Sequence, residues 1–189
     1  MTTLQLLGVL LLTAASAKGQ SYHLGRCPES TVQEDFNAAK YMGTWYEIEK
    51  LPAWFQTGRC AQATYSLLSD GTVSVRNENI LSDGTVASIQ GTARVIDPSQ
   101  PANLGVSFFK GVPDAPYMVV STDYQSYALV YSCSDYFGLF YIDFAWILAR
   151  SRALTDDIIN QLHDKLTAIG VDVNRLKVSN QTACDGYSQ

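Results

Sequence analysis

Short apolar runs separated by turn residues fill the chain from Thr44 to Arg150. Thr44–Lys50, Ser88–Ile96, Asn103–Phe109, Tyr117–Thr122, Tyr127–Cys133 and Phe140–Ala149 all read as strands rich in β-branched and aromatic residues. The stretch Leu67-Leu68-Ser69-Asp70-Gly71-Thr72-Val73 recurs almost unchanged as Ile80-Leu81-Ser82-Asp83-Gly84-Thr85-Val86. Each copy carries Asp-Gly, a pair that accepts the positive φ angles of a tight hairpin. The offset is one strand plus one turn, which predicts an antiparallel meander. Pro98, Pro101, Pro113 and Pro116 fall between strands, where a missing N–H does no damage. About eight strands in succession favour closure into a barrel, because closure removes exposed edges. Strict alternation from Trp45 would put Glu47 on the inner face, so a bulge or a paired carboxylate is expected there.

After Arg150 the period changes. Ile158, Ile159, Leu162, Leu166 and Ile169 recur at helical spacing, with Asp156, Asp157, Asp164 and Lys165 on the opposite face. Thr155 is placed to cap the helix and Gly170 to end it. This amphipathic helix is expected against the outside of the sheet, followed by a last strand over Val173–Val178. The fold class is therefore mainly β: an eight-stranded antiparallel up-and-down barrel with one C-terminal α-helix packed outside it.

Of 189 residues, 47% are hydrophobic, 16% are charged, and the net charge is −5. That is too apolar for a disordered chain, and its acidity without a Lys/Arg cluster argues against nucleic acid as a partner. The apolar run Leu4–Leu12 is too short to span a bilayer and reads as the core of a secretory leader. Small residues suit cleavage after Ala17 or Gly19. The expected organisation is a leader over 1–19 and one domain over 20–189, with Gln20 able to cyclise to pyroglutamate. No other run is long enough to span a membrane, so the product is expected outside the cell.

Cys27, Cys60, Cys133 and Cys184 suit two disulfides in an oxidising compartment, and four cysteines allow three pairings. No spacing suits a zinc site, and no metal or cofactor is expected. Asn180-Gln181-Thr182 is the single N-glycosylation sequon, making Asn180 the expected acceptor. His23 precedes the barrel and His163 lies mid-helix without a serine elbow, so no catalytic triad is formed and no enzyme is expected.

Gly43-Thr44-Trp45-Tyr46-Glu47 opens the first barrel strand, Thr122-Asp123-Tyr124 stands at a turn, and Arg150 ends the last strand. In this order, before a helix, the three resemble the signature of the lipocalin family. The resemblance implies that Trp45 plugs the closed end of the barrel and that Arg150 lies across its indole, a structural seal. It narrows within the family through Tyr127–Cys133, Asp143–Arg150, His23-Leu24-Gly25, Gly58-Arg59-Cys60 and Ala115-Pro116-Tyr117, and covers essentially the whole chain after the leader. It implies the disulfides Cys27–Cys133 and Cys60–Cys184. It also implies an extracellular carrier of small lipophilic ligands such as steroids, arachidonic acid and other fatty acids, linked to lipid handling and oxidative stress.

The pocket residues carried over by the resemblance are Trp146, Tyr65, Asn77, Asn79, Phe108 and Tyr131. Asn79 departs from the pattern, which has a carboxylate there; Glu78 is displaced by one and so turned to the other strand face. Asn79 would thus offer an uncharged amide to a ligand. Phe109-Lys110-Gly111-Val112 is less apolar than its counterpart, which weakens a lipoprotein-docking role. Lipoprotein or receptor association and a bilin pigment as ligand are the alternatives, and a thiol-dependent isomerase is disfavoured once all four cysteines are paired.

Overall fold

Eight consecutive antiparallel strands close on themselves between Gly43 and Ala149 in the computed structural model, which describes residues 21–187. The leader, both cleavage positions and Gln20 lie outside the described residues. The strands are β2 (Gly43–Lys50), β3 (Arg59–Leu67), β4 (Val73–Ile80), β5 (Val86–Val95), β6 (Asn103–Ser107), β7 (Ala115–Thr122), β8 (Tyr127–Tyr136) and β9 (Phe140–Ala149). Each pairs with its sequence neighbour, and β9 closes the barrel on β2. Before them stand β1 (Ser21–Leu24) and the short helix α1 (Ala38–Tyr41); after them come α2 (Asp156–Ala168) and β10 (Lys177–Val178). β1 continues the sheet along β9, and β10 adds to β2, so both flank the seam of the barrel.

The turn chemistry is duplicated along with the sequence. Asp70 Oδ1 accepts from the Thr72 backbone N–H and hydroxyl at 2.9 and 2.7 Å, and Asp83 does the same with Thr85 at the same distances. Only the glycine of each pair takes positive φ, +84° at Gly71 and +88° at Gly84. The turns are thus longer than a two-residue hairpin, with the aspartate as an internal cap.

Strand alternation divides the apolar residues between two clusters. The inner one joins Trp45, Tyr65, Val75, Leu104, Val130 and Leu148, among others. The outer one joins Leu129, Tyr131, Ala145 and Ile147 of the barrel wall to Leu162 and Leu166 of α2. The helix ends as anticipated: Gly170 has φ +84°, and the Val171 and Gly170 N–H groups return to Leu166 and Thr167 carbonyls. Thr155 occupies the N-cap, but its hydroxyl makes no capping bond. The strand expected over Val173–Val178 is shorter than its sequence suggested. Asp172 accepts from Asn174 and starts a 3₁₀ turn over Val173–Arg175, leaving two residues to pair with β2.

Two disulfides, Cys27–Cys133 and Cys60–Cys184, tie the N-terminal segment to β8 and the C-terminal tail to β3. Glu47 shows both of the devices anticipated for it. The β2–β9 register shifts between Glu47 and Glu49, and the buried Glu47 carboxylate meets Lys50 Nζ at 3.1 Å and the Ser179 hydroxyl at 2.6 Å.

Candidate functional site

The closed end is built around one guanidinium. Arg150 stands 3.7 Å from the centre of the Trp45 ring, which is fully buried. It donates to the carbonyls of Thr44 (2.9 Å), Met42 (2.7 Å), Tyr124 (3.1 Å), Lys40 (3.2 Å) and Tyr41 (3.3 Å). Those carbonyls belong to the end of α1, the start of β2 and the β7–β8 turn, so one side chain joins three segments. Gly43 is required here: its φ is +94°, and a Cβ would lie 3.2 Å from an Arg150 nitrogen. The Trp45 indole donates to the Tyr41 carbonyl at 2.8 Å. In the β7–β8 turn, Asp123 accepts three successive backbone N–H groups, from Gln125, Ser126 and Tyr127, at 2.7–3.0 Å. Partial burial pushes the Asp123 carboxyl up, but these donors outweigh it and hold the group below the usual range. Thr122 bridges the same turn through its hydroxyl, and Tyr124 takes φ +67°.

Above this seal three phenols meet. Tyr65 on β3 and Tyr117 on β7 stand on strands four apart in the eight-stranded order, hence on opposite walls. Their hydroxyls lie 2.8 Å apart, and Tyr41 from α1 reaches the Tyr117 hydroxyl at 2.9 Å. The result is a crossbar through the interior. Burial pushes all three hydroxyls up, Tyr65 to about 12 and Tyr41 and Tyr117 well above the ordinary phenol value. The crossbar is therefore neutral and unfriendly to charge.

The wall above the crossbar carries most of the residues anticipated for the pocket. Trp146 and Phe108 pack against the inner cluster, as Tyr65 does from within it. Phe108 can lie close because it crosses Gly91, where a Cβ would come within 2.7 Å of the ring. Asn77 is half-buried opposite Ala63 and Ile89, on the face shared with the buried Val73 and Val75. The connection between β2 and β3, residues 51–58, closes over the open end. Gln56 Oε1 accepts from the Trp146 indole at 2.9 Å, the Gln56 carbonyl accepts from Lys50 at 3.3 Å, and Phe55 meets Phe144 with ring centres 5.3 Å apart.

Two anticipated residues stand elsewhere. Asn79 sits at the rim with its amide nitrogen already donating to the Thr57 carbonyl. It holds the β2–β3 connection, so one of its two N–H donors is committed there. Tyr131 is fully buried in the outer cluster beneath α2, with its hydroxyl donating to Asp143 at 3.3 Å. The physical reason is strand parity: Tyr131 pairs with Ala145 in β9, whereas Val130 pairs with Trp146, so the inner face belongs to the even positions. Cys133 shares the parity of Tyr131 and is bridged to the N-terminal segment, a signal that would have placed Tyr131 outside. The residues missed from sequence are Tyr41, Tyr117, Gln56 and Lys50. Tyr41, Tyr117 and Gln56 act through contacts between segments far apart in the chain, and Lys50 through its neighbours Glu47 and Gln56; Tyr117 and Lys50 stood at the ends of recognised strands.

The histidines are structural partners of buried acids. His163 of α2 meets Glu49 at 2.6 Å, and His23 of β1 meets Asp143 at 3.1 Å. Neither faces the interior cluster. Asn180 is exposed, with its side-chain oxygen accepting from Thr182. Among the described residues no cluster of side chains suits a metal ion, and no helix is long and apolar enough to cross a membrane.

Comparison with known proteins agrees with this geometry. Mouse apolipoprotein D is 45% identical over 186 residues, covering 98% of each chain, and the rabbit protein is 47% identical with the same coverage. Among solved structures, H1 crustacyanin from the lobster Homarus americanus matches 86% of this chain and 91% of its own, with a TM-score of 0.73 at 26% identity. Insecticyanin from Manduca sexta, at 23% identity and a TM-score of 0.75, shares the fold. Residues 36–181 match the family model described as a lipocalin-like domain. With a sealed eight-stranded barrel, an outer helix and these relatives, the chain belongs to the lipocalin family.

Proposed function

We propose that this lipocalin is an extracellular carrier that takes one small lipophilic molecule into its barrel reversibly and does no chemistry on it. The observation that carries the reading is the apolar barrel interior, sealed below by Arg150 and Trp45 and bounded by Trp146 near the open end. An eight-stranded barrel is just wide enough to hold one small ligand. Steroids, arachidonic acid and other fatty acids fit its chemistry, with Trp146, Tyr65, Phe108 and Asn77 as contacts and Asn79 at the rim. Burying about 200–300 Å² of ligand at about 25 cal/mol/Å² offers roughly 5–8 kcal/mol before entropic costs, which supports micromolar affinity. Export after removal of residues 1–19, closure of both disulfides and glycosylation at the exposed Asn180 belong to the same reading, as does a role in lipid handling.

Tryptophan fluorescence of the mature protein, titrated with progesterone and with arachidonic acid, tests it. Saturable quenching near micromolar is expected, fading in Trp146→Phe. Tyr131→Phe serves as a control: it should leave the binding curve within about twofold while costing about 1 kcal/mol of stability through the lost hydrogen bond. Quenching that persists unchanged in Trp146→Phe would move the site to Trp45 or Trp54, and no response to either ligand would reject the carrier role for both.

A further inference from the structure

The tyrosine crossbar contains a surplus donor. Each of its three hydroxyls carries one proton, and each hydrogen bond consumes one. The three oxygens make two contacts, Tyr41–Tyr117 at 2.9 Å and Tyr65–Tyr117 at 2.8 Å. Whichever way the chain is polarised, one O–H proton is left over. Among the described residues no other hydrogen bond reaches any of these hydroxyls. Beneath the crossbar the neighbours are hydrocarbon: Phe36, Val73, Ala93 and Leu104. The Trp45 indole is a donor itself, already satisfied by the Tyr41 carbonyl. An acceptor for the surplus proton therefore has to enter from the open end.

We propose that the crossbar is a recognition element for a neutral oxygen, such as a ketone or ester carbonyl, carried on the buried end of an otherwise apolar ligand. The proposal rests on the carrier reading and adds a ligand class and an orientation to it, oxygen downwards against Tyr41, Tyr65 and Tyr117. Neutral oxygen is favoured over carboxylate because the phenols sit where burial suppresses their own ionisation, and a carboxylate in that position would be desolvated beside a single donor. Acids would instead keep their head group in water at the open end, since the Lys50 ammonium is already paired with Glu47.

The test compares two probes that differ by one oxygen, androstan-3-one and the parent hydrocarbon androstane, by tryptophan quenching. Replacing one tyrosine is uninformative at either end of the chain, since two hydroxyls sharing one bond still leave one proton over. The variant to make is Tyr41→Phe/Tyr65→Phe/Tyr117→Phe, which removes every partner together, a change that apolar isosteres tolerate well. The wild type should bind the ketone roughly tenfold more tightly than the hydrocarbon, and the triple variant should bring the two within about twofold. Independently of any variant, the carbonyl stretch of carbon-13-labelled androstan-3-one bound to the wild type should fall below its frequency in hexane. Equal affinities in the wild type, or an unshifted carbonyl band, would overturn the proposal while leaving the carrier reading intact. A preference for the ketone that survives in the triple variant would also overturn it and pass the role to Asn77. Binding of neither probe would count against both readings.

Discussion

Replacing Arg150 with methionine is expected to destabilise the barrel by about 3–5 kcal/mol, a large share of the 5–15 kcal/mol that holds a typical domain. The side chain keeps its length in this variant, so the loss reports the guanidinium. Five carbonyls, from Lys40, Tyr41, Met42, Thr44 and Tyr124, lose their common donor, and the indole of Trp45 loses the cation stacked at 3.7 Å. Stranded acceptors cost about 1–3 kcal/mol each where water cannot reach them, and water will reach some of these at the rim. The cation–π contact adds about 0.5–2 kcal/mol. At about 2–4 °C per kcal/mol for a domain of this size, the melting midpoint should fall by roughly 6–20 °C. Arg150→Lys should recover only part of the loss, because an ammonium cannot fork across three segments. Thermal unfolding followed by circular dichroism reads the result. A shift below about 2 °C would mean that the closed end holds without its arginine.

Alkaline pH should unfold the protein steeply. In the folded state Tyr65 is pushed up to about 12 and Tyr41 and Tyr117 well above the ordinary phenol value, burial being the main cause in each. In the unfolded chain the same phenols lose their protons near pH 10. Between these limits the folded state holds more protons than the unfolded one, so stability falls as pH rises. The contribution is fully present below about pH 10 and is lost as pH climbs through 12 and beyond. Three coupled phenols give a slope of about 4 kcal/mol per pH unit once the unfolded chain is ionised, enough to exhaust an ordinary domain within two to three units. Tyr131 adds to it, since burial and then the neighbouring Asp143 push its hydroxyl up. The phenolate absorbance of these residues should appear in the same step in which the circular dichroism of the barrel is lost. In the triple phenylalanine variant that step should move to higher pH and become shallower. Gradual ionisation with the barrel intact would show that the crossbar is open to solvent.

The strands, their turns and the outer helix were legible because each rests on local chemistry, whereas the closing pair of Trp45 and Arg150 was read from the family resemblance. Asp70-Gly71 and Asp83-Gly84 mark turns by what their own side chain and backbone can do, and Gly170 marks a helix end by tolerating positive φ. Ile158, Leu162 and Leu166 announce a helix face by spacing alone, and the charge of Glu47 on an inner position demanded a bulge or a partner before either was seen. Trp146 and Tyr65 came from the resemblance and do stand on the inner wall. Tyr131 came from the same resemblance and stands on the outer one: it shares the parity of the bridged Cys133, and the register of β8 with β9 puts the other parity inside.

What the tertiary structure alone decided is how side chains distant along the chain meet. Tyr41, Tyr65 and Tyr117 are separated by up to 76 positions, and nothing in any one of their segments signals that three hydroxyls converge across the barrel. The same holds for Gln56 on Trp146, 90 positions away, and for Asn79, one of whose amide N–H groups goes to the Thr57 carbonyl. Turn type, helix period and strand alternation are properties of neighbouring residues, so sequence states them directly. Register, inner face and hydrogen-bond partner are set only when the barrel closes and each polar group must find its acceptor among the walls that closure brings together.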